Sequence, residues 1–451
     1  MNKKKIVLVY PKIEFETNYP CSWLPYSLLS IASVIKKDNE NTEITIFDEN
    51  KNPDSDGLYE YITKNKNDIA CVGYSVMTGG GQIKNALNIS HSVKSIDSNI
   101  KNVFGGPHIN VLANETLQDP SIDFVLKGLG QNSFPAFIKA QDGELSFEQV
   151  PGLIGKVANK VITGPENQPI EKNLPPYDFT LINVKDYIQY DKTINDRTIN
   201  YVASQGCPYS CRFCYETGYK RRYFKQQGDN IKRDIEYLVD NFGVNGIKFY
   251  DADWFIDSER AISIIDFLKE KTLKWAASIH PKDILRTKGK MLEALKDSGC
   301  QRLLMGIESG SDRVLKDVID KRATKAENWE VAKGIADAGI LGSYTFMVGF
   351  PGETKEEQLE TYQMIKDLWK LEPQPETRVH IYTPYPGTAL YDEALKNGFE
   401  PPKDLQGWSA FDYYKRTTPW VSADLESDVN RYTRQEEKKE KKENEKLQNN
   451  A

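Results

Sequence analysis

The chain reads as α/β: a five-stranded parallel sheet domain followed by a partial (β/α)6 barrel. Three observations lead there. Short apolar runs rich in valine and isoleucine alternate with segments of helical period. The alternation runs twice, interrupted at residues 151–197 by a mixed stretch that holds "NLPPYDF". The ends of the apolar runs are rich in glycine and small polar residues, as expected where parallel strands present their carboxyl ends to ligands.

In the first array the strands are expected at 4–10 "KKIVLVY", 42–48 "TEITIFD", 68–75 "DIACVGYS", 100–105 "IKNVFG" and 123–127 "DFVLK". Helical patterns lie between most of them, at 25–37, 57–65, 80–96 and 131–141. Strands joined by helical crossovers imply a doubly wound, flavodoxin-like domain over residues 1–150. Its strand ends read "YSVMTGGGQ", "FGGPH" and "KGLGQNS". Residues 151–197 form a connector, and residues 198–400 the second array. Strands are expected there near 199–205, 246–251, 274–279, 302–308, 343–349 and 378–384. A helix at 229–242 carries Ile231, Ile235, Leu238, Val239 and Phe242 on one face. Six βα units imply a barrel left open where two more would stand. Residues 401–433 are a C-terminal extension, and 434–451, "RQEEKKEKKENEKLQNNA", a charged tail expected to be disordered.

Composition removes several classes of function. A formal net charge of −6 without a basic stripe argues against nucleic-acid binding. No apolar run approaches the roughly 18 residues of a membrane span. The N-terminal "MNKKKIVLVYPK" is basic and then apolar, but no small-residue cleavage site follows, so it reads as a first buried strand. Six cysteines, three of them clustered, suit a reducing, cytoplasmic setting rather than a disulfide framework.

That cluster carries the chemistry. Residues 206–216 read "GCPYSCRFCYE", which spaces Cys207, Cys211 and Cys214 as C-x3-C-x2-C; Cys21, Cys71 and Cys300 are scattered. A structural zinc site takes four nitrogen or sulfur ligands, usually as two separated pairs. Here no fourth cysteine or histidine is near. Three thiolates suit a [4Fe–4S] cube with one iron left open to a substrate or cofactor. A zinc knuckle or unrelated free thiols are the blander alternatives.

"CPYSCRFC" followed by a six-unit βα array resembles the radical S-adenosylmethionine (SAM) superfamily. The resemblance implies that Cys207, Cys211 and Cys214 hold the cube and that its open iron chelates the amino and carboxylate groups of SAM. Electron transfer, from a donor such as flavodoxin or ferredoxin, then yields a 5′-deoxyadenosyl radical. Tyr209 and Phe213 would shield the cluster and pack near the adenine. "KFYDADWF" (248–255) stands where the family contacts the methionine amino group, with Asp251 and Asp253 as candidates; alone, such a pair is more simply a turn or helix cap. "MGIESGS" (305–311) resembles the segment that places Glu308 and Ser309 on the cofactor, although Glu308 also suits a capping role. "MVGFPGET" (347–354) puts Gly349 beside the adenine, and "YTPYPGTALY" (382–391), opening on Tyr382, closes the sixth strand. Both resemble segments common in the branch with an N-terminal cobalamin-binding domain.

Taken alone, the first domain suggests a flavin or nucleotide site. It has no G-x-G-x-x-G loop, and "TGGG" (78–81) is a weak phosphate signal. Joined to the second array, its strand ends resemble a cobalamin-binding domain. That resemblance implies cofactor contacts from Ser75, Val76, Met77, Thr78, Gly105, Gly106, Pro107 and Gly128. The D-x-H-x-x-G motif that would bring a histidine to cobalt is absent, and Gln131 stands where an acidic residue is common. His108 is either a corrin contact or a hydrogen-bonding loop residue.

These features together imply a cobalamin-dependent radical SAM enzyme that methylates an unactivated carbon of a small-molecule or natural-product substrate. The same cofactors also serve ring contraction, cyclisation or rearrangement without net methylation. A non-catalytic iron–sulfur electron carrier or sensor is the rival from another class, and it has no need of "MGIESGS" or "GFPGET". Trp408, Phe411, Tyr413 and Tyr414 in "GWSAFDYYKR" line a substrate pocket or simply pack.

Overall fold

The computed structural model describes residues 4–13, 23–38, 42–52, 55–157, 160–167, 174–216, 223–411 and 418–433. The expected tail from 434, together with Cys21, Tyr413 and Tyr414, lies outside them. The chain forms two compact units. The first comprises Met1–Ile188, Asp229–Phe242 and Pro401–Tyr413; the second comprises Gln189–Gly228, Gly243–Glu400 and Tyr414–Ala451.

In the first unit the elements run β1 (Lys4–Tyr10), α1 (Tyr26–Asp38), β2 (Thr42–Asp48), α2 (Asp56–Asn65), β3 (Ile69–Ser75) and α3 (Gly81–Ile96). Then come β4 (Lys101–Gly105), α4 (Pro107–Thr116), β5 (Phe124–Leu126), α5 (Gly130–Gln141), β6 (Leu153–Val157) and β7 (Lys160–Thr163). The strand order is β2-β1-β3-β4-β5-β6-β7. The first five strands pair in parallel, as the apolar runs imply, and Ile6, Val7, Leu8 and Val9 are wholly buried because helices cover both faces.

Two elements depart from expectation. The five-stranded sheet is extended by β6 and β7, an antiparallel hairpin on the β5 edge drawn from the connector. Its outer strand is largely exposed, Val161 included, so it carries no inward apolar period to read. Helix α4 follows β4 with Pro107 at its first turn, but Leu112 leaves helical geometry (φ −128°, ψ 39°), which breaks the periodicity. Helix α6 (Gly228–Phe242) contributes Asp229–Phe242 to this unit, where Tyr237 stacks on Phe179 with ring centroids 5.9 Å apart.

The second unit begins with β8 (Gln189–Asp191) and β9 (Asn195–Tyr201), then a small hairpin of β10 (Ser204–Gly206) and β11 (Tyr223–Lys225). It continues through β12 (Gly246–Phe249), α7 (Ser258–Glu270), β13 (Lys274–Ile279), α8 (Pro281–Leu285), α9 (Lys290–Leu295) and β14 (Cys300–Glu308). The last elements are α10 (Lys325–Asp337), β15 (Leu341–Val348), α11 (Lys355–Leu368), β16 (Glu376–Ile381) and α12 (Tyr391–Lys396). Helix α13 (Leu405–Ser409) belongs to the first unit and α14 (Ala423–Tyr432) to the second.

The large sheet is ordered β16-β15-β14-β13-β12-β9-β8, six parallel strands with β8 antiparallel at one edge. This is the open half-barrel that six βα units imply. Capping boxes at Thr324/Glu327 and Thr354/Glu357 start α10 and α11. Thr377 accepts from Trp369 Nε1 (3.1 Å) and donates to the Tyr432 carbonyl (2.9 Å), so this register of β16 faces the covering helices. By the alternation of a strand, Arg378 and His380 face the concave side. Among the described residues no helix is long and apolar enough to cross a membrane.

Candidate active site

The three cysteines lie on the loop that leaves β10, just past the first strand of the half-barrel. Most of what fixes this loop comes from segments far away in sequence. Ser210 Oγ donates to Asp320 Oδ2 (2.5 Å), the Arg212 amide to the Ile319 carbonyl (2.9 Å) and Arg212 Nη1 to the Val318 carbonyl (2.9 Å). Arg212 also pairs with Glu393, and its carbonyl accepts from the Leu390 amide (3.0 Å). Burial pushes the Cys207 and Cys214 thiols up to about 12 and raises Cys211 as well. Such thiols surrender their protons only to a strong positive partner, and iron is one. Among the described residues no three His, Cys, Asp or Glu side chains converge as ligands of one ion would. Three ligands that each hold a different iron of a cube need not meet at one point.

Glu308 ends β14 in an unusual state. Its φ is +69°, in the left-handed region that non-glycine residues rarely occupy, and the β14–β15 register slips between Gly306 and Glu308. The strain aims the carboxylate at Lys321, whose Nζ stands 3.2 Å from Oε1 with both side chains about nine-tenths buried. Burial works against the Lys321 charge, but Glu308 outweighs it and holds the pKa above the ordinary value. A Cβ on Gly306 would collide with the Glu308 carboxylate, so only glycine leaves room for the pair. Lys321 has no motif in the sequence to announce it.

The two aspartates of "KFYDADWF" divide their labour. Asp251 accepts from the Ala203 amide (3.1 Å) and from Ser204 Oγ, so both oxygens are spent on tying the start of β10 to the end of β12. Burial raises its pKa to about 6. Asp253 accepts from the Phe255 amide (3.0 Å) through Oδ1, while its buried Oδ2 has no partner. Burial, and then the neighbouring Asp283 carboxyl, push Asp253 well above the carboxylate range. Asp283 in turn accepts from Tyr209 Oη (2.7 Å), and the Tyr209 ring stacks on His280 with centroids 3.8 Å apart. His280 accepts from the Lys282 amide at Nδ1 (3.3 Å), which leaves Nε2 to donate to the Lys321 carbonyl (3.0 Å). Burial holds this ring neutral, with a pKa near 3.

The remaining expected residues fall into two groups. Phe213, Phe350 and Tyr382 form an aromatic chain (6.0 and 5.3 Å between centroids), with the Tyr382 hydroxyl buried and unpartnered. Ser309 is fully buried and bonded to Thr361 (3.2 Å) and the Ser311 amide (3.1 Å), so it secures the loop to α11. Gly349 has a φ of +83°, and a Cβ there would meet Val421 at 2.8 Å. The C-terminal segment at Val421 therefore packs closely against this glycine.

In the first unit the ends of β3, β4 and β5 stand side by side and bring together Ser75–Thr78, Gly105–His108 and Gly128. Val76 spends its amide on the Gly105 carbonyl (2.9 Å) and its carbonyl on the His108 amide (3.2 Å). Gly106 (φ +101°) is glycine because a Cβ would stand 2.6 Å from that Val76 oxygen. The Met77 amide donates to Gln82 (2.7 Å) while its side chain is 40 % exposed; Ser75 bonds to Ser27. Gly128 donates to Asn110 (2.7 Å) and abuts Asn167; Gln131 donates to Ser30 (3.0 Å). Thr78 is buried, and Pro107 starts α4. His108 is fully buried with both ring nitrogens unpartnered, and burial lowers its pKa to about 4. Trp408 packs edge-on against it (6.5 Å) and touches Phe411 (5.2 Å), so these two aromatics of the extension pack within this unit.

Residues 201–365 match the model of the radical SAM superfamily, and the chain is a radical SAM enzyme. Residues 17–138 match the model of the B12-binding domain. The two domains define its cofactors as a [4Fe–4S] cluster, SAM and cobalamin. An uncharacterized methyltransferase of Pyrococcus horikoshii is 28% identical over 412 residues, covering 88% of this chain and 84% of the relative. The anaerobic magnesium-protoporphyrin IX monomethyl ester cyclase of Cereibacter sphaeroides is 28% identical over 307 residues, 65% of this chain and 48% of the cyclase. Among solved structures, the radical SAM methyltransferase TsrM of Kitasatospora setae, with cobalamin and a [4Fe–4S] cluster bound, superposes with a TM-score of 0.71 at 15% identity. That match covers 88% of this chain and 78% of TsrM, and it shows the shared fold.

The residues present fit these groups. Three thiols on one pinned loop suit a cube with an open iron. Unpartnered Asp253 Oδ2 is an acceptor waiting for a donor, and the orphaned His108 nitrogens sit at strand ends that a B12 domain uses.

Proposed function

We propose that the chain is a cobalamin-dependent radical SAM enzyme that methylates an unactivated carbon of a small molecule. The observation that carries this is the strained, buried Glu308–Lys321 pair beside the three-thiol loop, in a chain that also has a B12-binding domain. Strain of this kind, which costs about 1–3 kcal/mol, persists where function demands it. An electron carrier has no use for it.

Bound cluster and SAM supply hydrogen-atom abstraction, and cobalamin supplies a transferable methyl group. The chain's own residues prepare the site. Cys207, Cys211 and Cys214 hold the cluster. Asp253 Oδ2 accepts from the SAM ammonium, held in place by Asp283, Tyr209 and neutral His280. Glu308 accepts from cofactor donors with Lys321 fixing its orientation, and Lys321 keeps positive charge near Cys211. Phe213, Phe350 and Tyr382 exclude water from one side. Asp251 and Ser309 act as positioning residues. In the B12 domain Met77, Thr78, Gly105 and His108 are the proposed contacts, with Ser75, Val76, Gly106, Pro107 and Gly128 shaping the loops. A reduced flavodoxin or ferredoxin is the proposed electron source, and the reducing cytoplasm the proposed compartment.

The test is anaerobically reconstituted enzyme, SAM carrying a labelled methyl group, and candidate metabolites. Label in the product together with 5′-deoxyadenosine is the expected result. The cyclase relative favours a second reading, ring formation without net methylation. That reading predicts 5′-deoxyadenosine with no label transferred, and failure to form 5′-deoxyadenosine at all would sink both.

A second expected outcome concerns cobalt. Histidines that ligate metals almost always donate their other ring nitrogen to an orienting partner. His108 has none, so it is not built as a cobalt ligand. Electron paramagnetic resonance of bound cobalt(II) should show stoichiometric cobalamin with no nitrogen splitting from a protein imidazole, so its spectrum should be unchanged in His108→Phe. Splitting that disappears in His108→Phe would overturn this.

A further inference from the structure

Among the described residues, three cations of the half-barrel stand within ion-pair distance of a carboxylate and Arg378 does not. Lys248 pairs with Asp191 (3.4 Å), Arg302 with Glu376 (3.8 Å) and Lys321 with Glu308 (3.2 Å). Arg378 has no such partner among the described residues, and its Nε is buried without a hydrogen bond. Register places Thr345 directly beside it on β15 and Gly306 beyond on β14; His380 lies one rung further along β16. His380 is open to solvent and within electrostatic reach of both Glu308 and Arg378. The same face exposes Leu304 (36%) between wholly buried Leu303 and Met305.

We infer that the substrate carries an oxyanion, a carboxylate or phosphate-type group, that Arg378 binds on this concave face. The inference rests on the radical SAM reading, because it takes the face below Glu308 as the substrate's space. A buried Nε–H without an acceptor is disfavoured until a ligand brings one. Its planar fork suits both carboxylate and phosphate oxygens, and Thr345 Oγ1 is the adjacent hydroxyl donor. Leu304 offers the apolar part of the molecule a dry wall. The accounting also excludes the other cations, since Lys248 and Arg302 already face carboxylates.

Calorimetric titration of the reconstituted holoenzyme with phenylphosphonate, benzoate and neutral benzamide tests this. At least one anion should bind, with benzamide at least tenfold weaker, and whichever anion binds tighter identifies the headgroup. Arg378→Gln should weaken that anion at least tenfold, and Arg378→Lys should recover part of the loss as a point charge. Equal binding of benzamide, undiminished anion binding in a folded Arg378→Gln, or no anion binding by the wild type would each overturn it. Iron content and SAM binding are measured on the same preparations. Protein that holds both yet ignores anions loses the oxyanion assignment alone; protein that holds neither loses the radical SAM reading.

Discussion

Replacing Cys207, Cys211 and Cys214 together by alanine should take iron and sulfide from about four each per chain to none, with loss of the broad absorbance at ~400 nm. The fold of the half-barrel should survive. The loop is held by Ser210–Asp320, Arg212–Ile319, Arg212–Glu393 and Tyr209–Asp283, and none of these bonds uses a cysteine. Thiols that burial pushes toward 12 are neutral without metal, so three alanines remove no charge from the empty site. The variant should therefore melt like the metal-free wild type while losing all cleavage of SAM. A triple variant that still carries a full cluster would show the ligands to be elsewhere.

Much of this architecture is legible in the sequence, for a physical reason. Parallel strands buried on both faces must be continuous apolar runs, so β1 and β3 announce themselves within a residue or two. The strand expected at 199–205 instead spans Asn195–Tyr201, because its first half, "NDRT", is polar and carries no apolar signal. The cysteine spacing is local, and local patterns survive in one dimension. What stays hidden is made by topology. Lys321, Asp283, His280 and Glu393 reach the cysteine loop from after β13, β14 and β16, and nothing near them in the sequence marks them. The left-handed turn at Glu308 is invisible because its residue type argues against it. Nor does a motif show the protein bonds its residues make: Asp251 holds β10 and Ser309 holds α11. The hairpin β6–β7 and helix α4 escaped because exposed edge strands and kinked helices lack a clean period.

The Glu308–Lys321 pair yields the other large effect, and it needs more than one variant. Glu308→Ala should weaken SAM binding roughly ten- to a hundredfold, by loss of a charge-assisted hydrogen bond worth about 1.5–3 kcal/mol. It also strands Lys321, a buried ammonium that then has no close carboxylate among the described residues. Breaking a buried pair from one side costs about 3–5 kcal/mol of stability. The alanine variant alone therefore confounds binding with folding. Glu308→Gln keeps an acceptor for Lys321 Nζ and should melt closer to the wild type, with SAM affinity still reduced. The double variant Glu308→Ala, Lys321→Met removes both charges and replaces the ammonium with apolar volume. Its melting temperature should recover most of what Glu308→Ala loses, while SAM binding stays weak and iron content is unchanged in the Gln variant. Calorimetry that finds full SAM affinity in folded Glu308→Gln would make Glu308 a structural counter-ion only, and its left-handed backbone would then serve Lys321 rather than the cofactor.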